Sequence, residues 1–70
     1  REGWIQALET CLRKLPKHRH HLLLRAYDPR VSMKDLAADE GMTPAALYQM
    51  LRRLRLELAN CIERTRAQES

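Results

Sequence analysis

Two helix starts, one at Ser32 and one at Thr43, constrain this chain more than anything else in it. Ser32 suits an N-cap, Asp35 three residues later completes a capping box, and Val31 with Leu36 supplies the apolar staple across it. Thr43 caps a second helix with Pro44 at its first position, where the missing N–H costs nothing, and Met42 with Leu47 repeats the staple. Between them Gly41 marks a tight turn. The stretch from Val31 to Leu58 therefore reads as a short helix, a glycine turn and a long helix.

At 100° per residue Leu47, Leu51, Leu54 and Leu58 of the long helix share one narrow stripe, while Ala45, Tyr48, Gln49, Arg52 and Leu56 share the other side. The leucine stripe belongs to a core and leaves the opposite face for a partner. A short helix, a turn with glycine and a second helix is the pattern of the helix-turn-helix, whose second helix enters the major groove of DNA.

Upstream, Trp4, Ile5, Leu8, Cys11, Leu12 and Leu15 recur at helical intervals and predict an amphipathic helix from Glu2 to Lys14. Pro16 ends it, and Pro16 is equally suited to open the next helix at N1. The segment Lys17 to Tyr27 begins cationic and then carries Leu22, Leu23 and Leu24 in a row. Leu23, Ala26 and Tyr27 are expected to face the core together, leaving Leu22 or Leu24 near the surface as a docking contact. Asp28-Pro29-Arg30 is a turn signal. The last helix is expected from Pro44 to about Thr65, its later half packing Leu58, Cys61 and Ile62 against Trp4, Leu8 and Leu12, with a fraying tail from Arg66 to Ser70.

The expected architecture is all-α: a small four-helix domain containing a helix-turn-helix and a long C-terminal recognition helix. Seventy residues give one domain, residues 1–70, with room for a single core. The chain opens on Arg1 and not Met, so it is expected to be a segment of something longer. Thirteen Lys and Arg against nine Asp and Glu leave a formal charge of +4, which favours a polyanionic partner. No long apolar run or signal-peptide core occurs, so neither membrane insertion nor export is expected. Cys11 and Cys61 could pair in a secreted domain, but without an export signal two buried, reduced thiols are expected. His18 and His21 lie one turn apart but lack further ligands at matching spacing, so no metal and no cofactor are expected. No Ser, Cys or His has an orienting partner at a recognisable spacing, so enzymatic activity is not expected.

Taken together, Cys11-Leu12, Lys14-Leu15-Pro16, Leu22-Leu23, Tyr27, Val31-Ser32-x-Lys34-Asp35-Leu36-Ala37, Gly41-Met42-Thr43, Ala46-Leu47-Tyr48, Leu51-x-Arg53-Leu54-Arg55, Leu58 and Cys61-Ile62 resemble, in that order, a known family. It is the C-terminal, fourth conserved region of bacterial sigma factors, most closely of the extracytoplasmic-function type. The resemblance implies a cytoplasmic domain that binds the minus-thirty-five element of double-stranded promoter DNA through its last helix. It also implies docking on the β flap of the RNA polymerase core; an anti-sigma factor is a further candidate partner. By similarity, Lys34, Thr43, Ala45, Tyr48, Gln49, Arg52, Arg53 and Arg55 form the DNA side, and Leu22 or Leu24 is the candidate docking contact. Two positions depart from the family's pattern: Tyr48 and Met50 stand where basic residues are frequent, and Arg30 stands where glycine is common, implying a differently shaped turn. The rival readings are a transcriptional regulator of another helix-turn-helix family and a protein-docking module held by an anti-sigma factor.

Overall fold

A computed structural model describes residues 2–69 and contains four helices with no strand among them: α1 (Glu2–Lys14), α2 (Lys17–Ala26), α3 (Met33–Asp39) and α4 (Pro44–Glu69). The principal extents are 42 × 20 × 18 Å. The long dimension is that of α4, since its 26 residues rise about 39 Å at 1.5 Å each.

The two helix starts form as the sequence requires. Ser32 Oγ accepts from the Asp35 N–H at 3.1 Å, and Thr43 Oγ1 accepts from the Ala46 N–H at 3.1 Å. The capping box at Ser32 is only half made: among the described residues no bond returns from the Asp35 carboxylate to the Ser32 N–H. Aspartate is one methylene shorter than the glutamate that usually closes this ring. Helix α3 ends in a Schellman motif, with the Met42 N–H on the Ala37 carbonyl at 3.0 Å and the Gly41 N–H on the Ala38 carbonyl at 3.1 Å. The motif needs a left-handed residue at its C′ position, and Gly41 supplies φ of 67°.

The core is a leucine seam. Leu47, Leu51, Leu54 and Leu58 of α4 are all buried, together with Leu22 and Leu23 of α2, Leu36 and Ala37 of α3, and Cys11 of α1. Val31 and Met42, the outer members of the two staples, pack on this cluster half-buried. The triple leucine divides differently from expectation. Leu22 and Leu23 are buried, Leu24 is 55% exposed, and Tyr27 is 63% exposed and outside the core. Tyr27 is the C-cap of α2, so its side chain leaves the helix where the chain turns away from the seam. Pro16 also sits one place earlier than N1: it is the N-cap of α2, and its carbonyl accepts from the His20 N–H at 3.0 Å.

The turn between α2 and α3 is held by Asp28. Its carboxylate accepts from the Arg30 backbone N–H at 2.9 Å, from Arg30 Nε at 3.0 Å and from Nη2 at 2.9 Å. The Arg30 hydrogen bonds hold the Asp28 carboxyl below the ordinary aspartate range. No residue other than Gly41 has positive φ among those described, so Arg30 forms a turn that needs no glycine. Three polar contacts then pin α2 at its rim: His18 to Glu40 at 2.7 Å, Arg25 to Asp39 at 2.7 Å, and Arg19 to Glu57 at 3.9 Å. As exposed pairs they contribute at most about 1 kcal/mol each, so the seam does most of the holding.

Helix α1 packs on the later half of α4, and this corrects the expectation of two thiols. Cys11 and Cys61 are bonded as a disulfide with Cα atoms 5.9 Å apart, inside the span such a bond bridges. Lys14 and Leu15 share a depression with Glu57 and Leu58, while Cys11 meets Cys61 and Thr65, so α1 runs antiparallel to α4. Leu12, Leu15 and Ile62 pack half-buried against the core cluster, but Trp4 and Ile5 are each 46% exposed. Helix α4 also continues past Thr65 to Glu69, where a frayed tail was expected. Arg66, Ala67, Gln68 and Glu69 are all good helix formers and carry no stop signal, and Ser70 lies outside the described residues.

Candidate nucleic-acid interface

The seam fixes which side of α4 faces outward. With Leu47, Leu51, Leu54 and Leu58 turned inward, Ala45, Gln49, Arg52 and Leu56 lie directly opposite, and all four are exposed. Tyr48, 55% exposed, and Arg55 lie on one flank of this ridge, and Arg53 lies on the other. Thr43 caps the start of the helix and Lys34 projects from α3, both exposed. All eight residues of the expected DNA side thus reach solvent. They divide into a central ridge and two flanks, not one flat patch.

The charges on this face are unspent. Among the described residues no ion pair engages Lys34, Arg52, Arg53 or Arg55. Glu57, the nearest acid along α4, reaches Arg19 of α2 instead. The first turn of α4 carries no acidic side chain, so nothing there offsets the positive pole of the helix dipole.

On the Arg53 flank an open groove of about 530 Å³ separates α4 from α2, lined by Gln49, Met50, Arg53 and Glu57 on one wall and by Arg19 on the other. Arg19 was not among the expected DNA-side residues. The only signal for it in the sequence is the cationic start of α2, which gives no azimuth relative to α4.

Of the expected docking pair, Leu24 is exposed at 55% and Leu22 is a core residue at 2%. Leu22 therefore offers no surface to a partner, because the side chain that fills the seam cannot also leave it. His18 is engaged with Glu40, and His20 and His21 stand with ring centroids 6.4 Å apart. No group of three or more metal-ligating side chains comes together among the described residues, and no helix among them is long and apolar enough to cross a membrane.

The fold and this face define a small all-α domain built on a short helix, a four-residue turn and a long helix with a cationic outer surface. Neither a protein-family model, nor a curated protein, nor a solved structure matches the chain.

Proposed function

We propose that this domain recognises promoter DNA as the region-four domain of an extracytoplasmic-function type sigma factor, laying the first half of α4 in the major groove. One observation supports this reading above the others: the side of α4 opposite its buried leucines is exposed and carries arginines that no acid neutralises. Gln49 reads adenine through N6 and N7, and Arg52 reads guanine through O6 and N7. Ala45 lets the helix approach the groove floor, and Tyr48 packs on a thymine methyl. Lys34, Arg53 and Arg55 hold phosphates on either side, with the N-terminus of α4 at Thr43 contributing its N–H groups.

In this reading the domain acts in the cytoplasm and docks on the β flap of RNA polymerase, with Leu24 as the exposed apolar contact that remains for it. An anti-sigma factor would compete for one of these surfaces. The deciding experiment measures binding of wild type and Gln49→Ala to a set of duplexes varied base by base. Loss confined to adenine-containing positions, by about 1 to 3 kcal/mol, supports the assignment. An equal loss on every sequence defeats it.

A further inference from the structure

The Cys11–Cys61 bond plays no part in a DNA-facing surface. Its surroundings differ from those of a sealed structural bridge. Cys11 is 2% exposed, but Cys61 is only half-buried, and the pair forms part of the wall of an open depression of about 300 Å³. The charged side chains lining that depression are Lys14, Arg64 and Glu57. Glu57 also faces Arg19, so the depression has a net positive character. Beside the buried sulfur, Thr65 Oγ1 lies 3.6 Å from Cys11 Sγ.

We propose that this bond is a redox site addressed by small anionic monothiols, and that opening it releases α1 from the later half of α4. The incoming thiolate, drawn to Lys14 and Arg64, attacks Cys61 Sγ, which belongs to the less buried of the two cysteines. The Sγ–Sγ bond breaks as the new S–S bond forms, and the electron pair leaves on Cys11 Sγ, where the Thr65 hydroxyl donates to the developing thiolate. A second monothiolate attacks the outer sulfur of the mixed disulfide, releasing the small disulfide and leaving Cys61 as a thiolate. Both protein thiolates then take protons from water. The sum is one protein disulfide and two monothiols converted to one protein dithiol and one small disulfide.

The consequence follows from how α1 is attached. Cys11 is its one buried residue besides Ala7, Leu12 and Leu15 are half-buried, and Trp4 and Ile5 are 46% exposed. The buried cluster on α2, α3 and α4 takes only Cys11 from α1, with Leu12 and Leu15 packed half-buried against it. Opening the bond therefore loosens α1 and leaves the helix-turn-helix half intact.

The test treats the oxidised chain with reduced glutathione or with neutral 2-mercaptoethanol at matched thiolate concentration. Acid quenching and peptide mass mapping then locate the adduct, and hydrogen exchange follows the amides. The expected transient adduct sits on Cys61, and glutathione reacts about fivefold faster than the neutral thiol, the Boltzmann factor for one net opposite charge at contact distance in water. Replacing both cations, Lys14→Gln with Arg64→Gln, abolishes that preference. Reduction removes protection from α1 while the amides of Leu36, Leu47 and Leu51 keep theirs. An adduct on Cys11, equal rates for the two thiols, reaction only under denaturing conditions, or unchanged protection of α1 would each overturn the proposal.

Discussion

The cationic face makes a quantitative prediction about salt. Lys34, Arg53 and Arg55 are exposed and unpaired, and in the proposed DNA complex each phosphate they neutralise would release counterions, giving a slope of log K against log salt of roughly −0.9 per contact. Three contacts give a slope of about −2.7, so affinity falls about 40-fold between about 50 mM and about 200 mM salt. Arg53→Ala removes one contact, and the slope becomes about −1.8 with only about a 12-fold loss over the same range. Arg53 has no partner in the folded domain whose loss would confuse the result, so stability should be unaffected. Fluorescence anisotropy with a labelled duplex of fixed sequence, repeated at several salt concentrations for both proteins, reads the two slopes directly. Identical slopes for wild type and Arg53→Ala would refute the placement of Arg53 on a phosphate, and a wild-type slope near zero would refute the electrostatic argument altogether.

Two predictions concern the turns. Gly41→Ala meets no steric obstacle, since a Cβ there finds nothing within 4 Å. Its cost is that of holding alanine at φ of 67°, about 1 kcal/mol, or about 4 to 8 °C in a domain of this size. Thermal unfolding should show that drop, with Gly41→Asn less affected because asparagine tolerates the left-handed region. Asp28 titrates below the ordinary aspartate range because Arg30 bonds its charged form. A depressed folded-state pKa stabilises the fold above the unfolded value, and that contribution disappears as pH falls through the lower folded one. An NMR titration of the Asp28 carboxyl should therefore give a midpoint below that of an unfolded peptide, and Arg30→Ala should raise it toward the ordinary value but not fully, because the backbone N–H of residue 30 still donates to the carboxylate.

The elements with local punctuation were legible before any coordinates. Ser32, Gly41 and Thr43 each specify a backbone geometry through their own side chain or the lack of one, and the leucine spacing of α4 has one solution at 3.6 residues per turn. What escaped the sequence depends on contacts between elements. Three consecutive leucines have no periodicity, so the burial of Leu22 and the exposure of Leu24 depend on how α2 leans on its neighbours. The disulfide depends on α1 crossing α4 at Cys61, and the absence of an export signal was no guide to that crossing. Arg19 joins the groove beside Arg53 for the same reason. The end of α4 is a different case: Arg66 to Glu69 favour helix at every position, and the local signal there pointed to the continuation seen.

The orientation of the outer face of α4 leaves little freedom. Turning the helix by one residue would carry Leu47 and its three companions toward solvent. Each buried leucine contributes about 1.5 to 3 kcal/mol, so the four together represent roughly 6 to 12 kcal/mol. The whole net stability expected of a domain this small is only roughly 4 to 10 kcal/mol. A rotated α4 would therefore unfold the domain before it presented a different face. Gln49 and Arg52 point outward because the leucines cannot, and a surface set by the core in this way tolerates changes in its own side chains without moving its axis. Substitutions at Gln49, Arg52 or Arg53 accordingly test the proposed recognition, whereas substitutions at Leu47 or Leu51 test the fold.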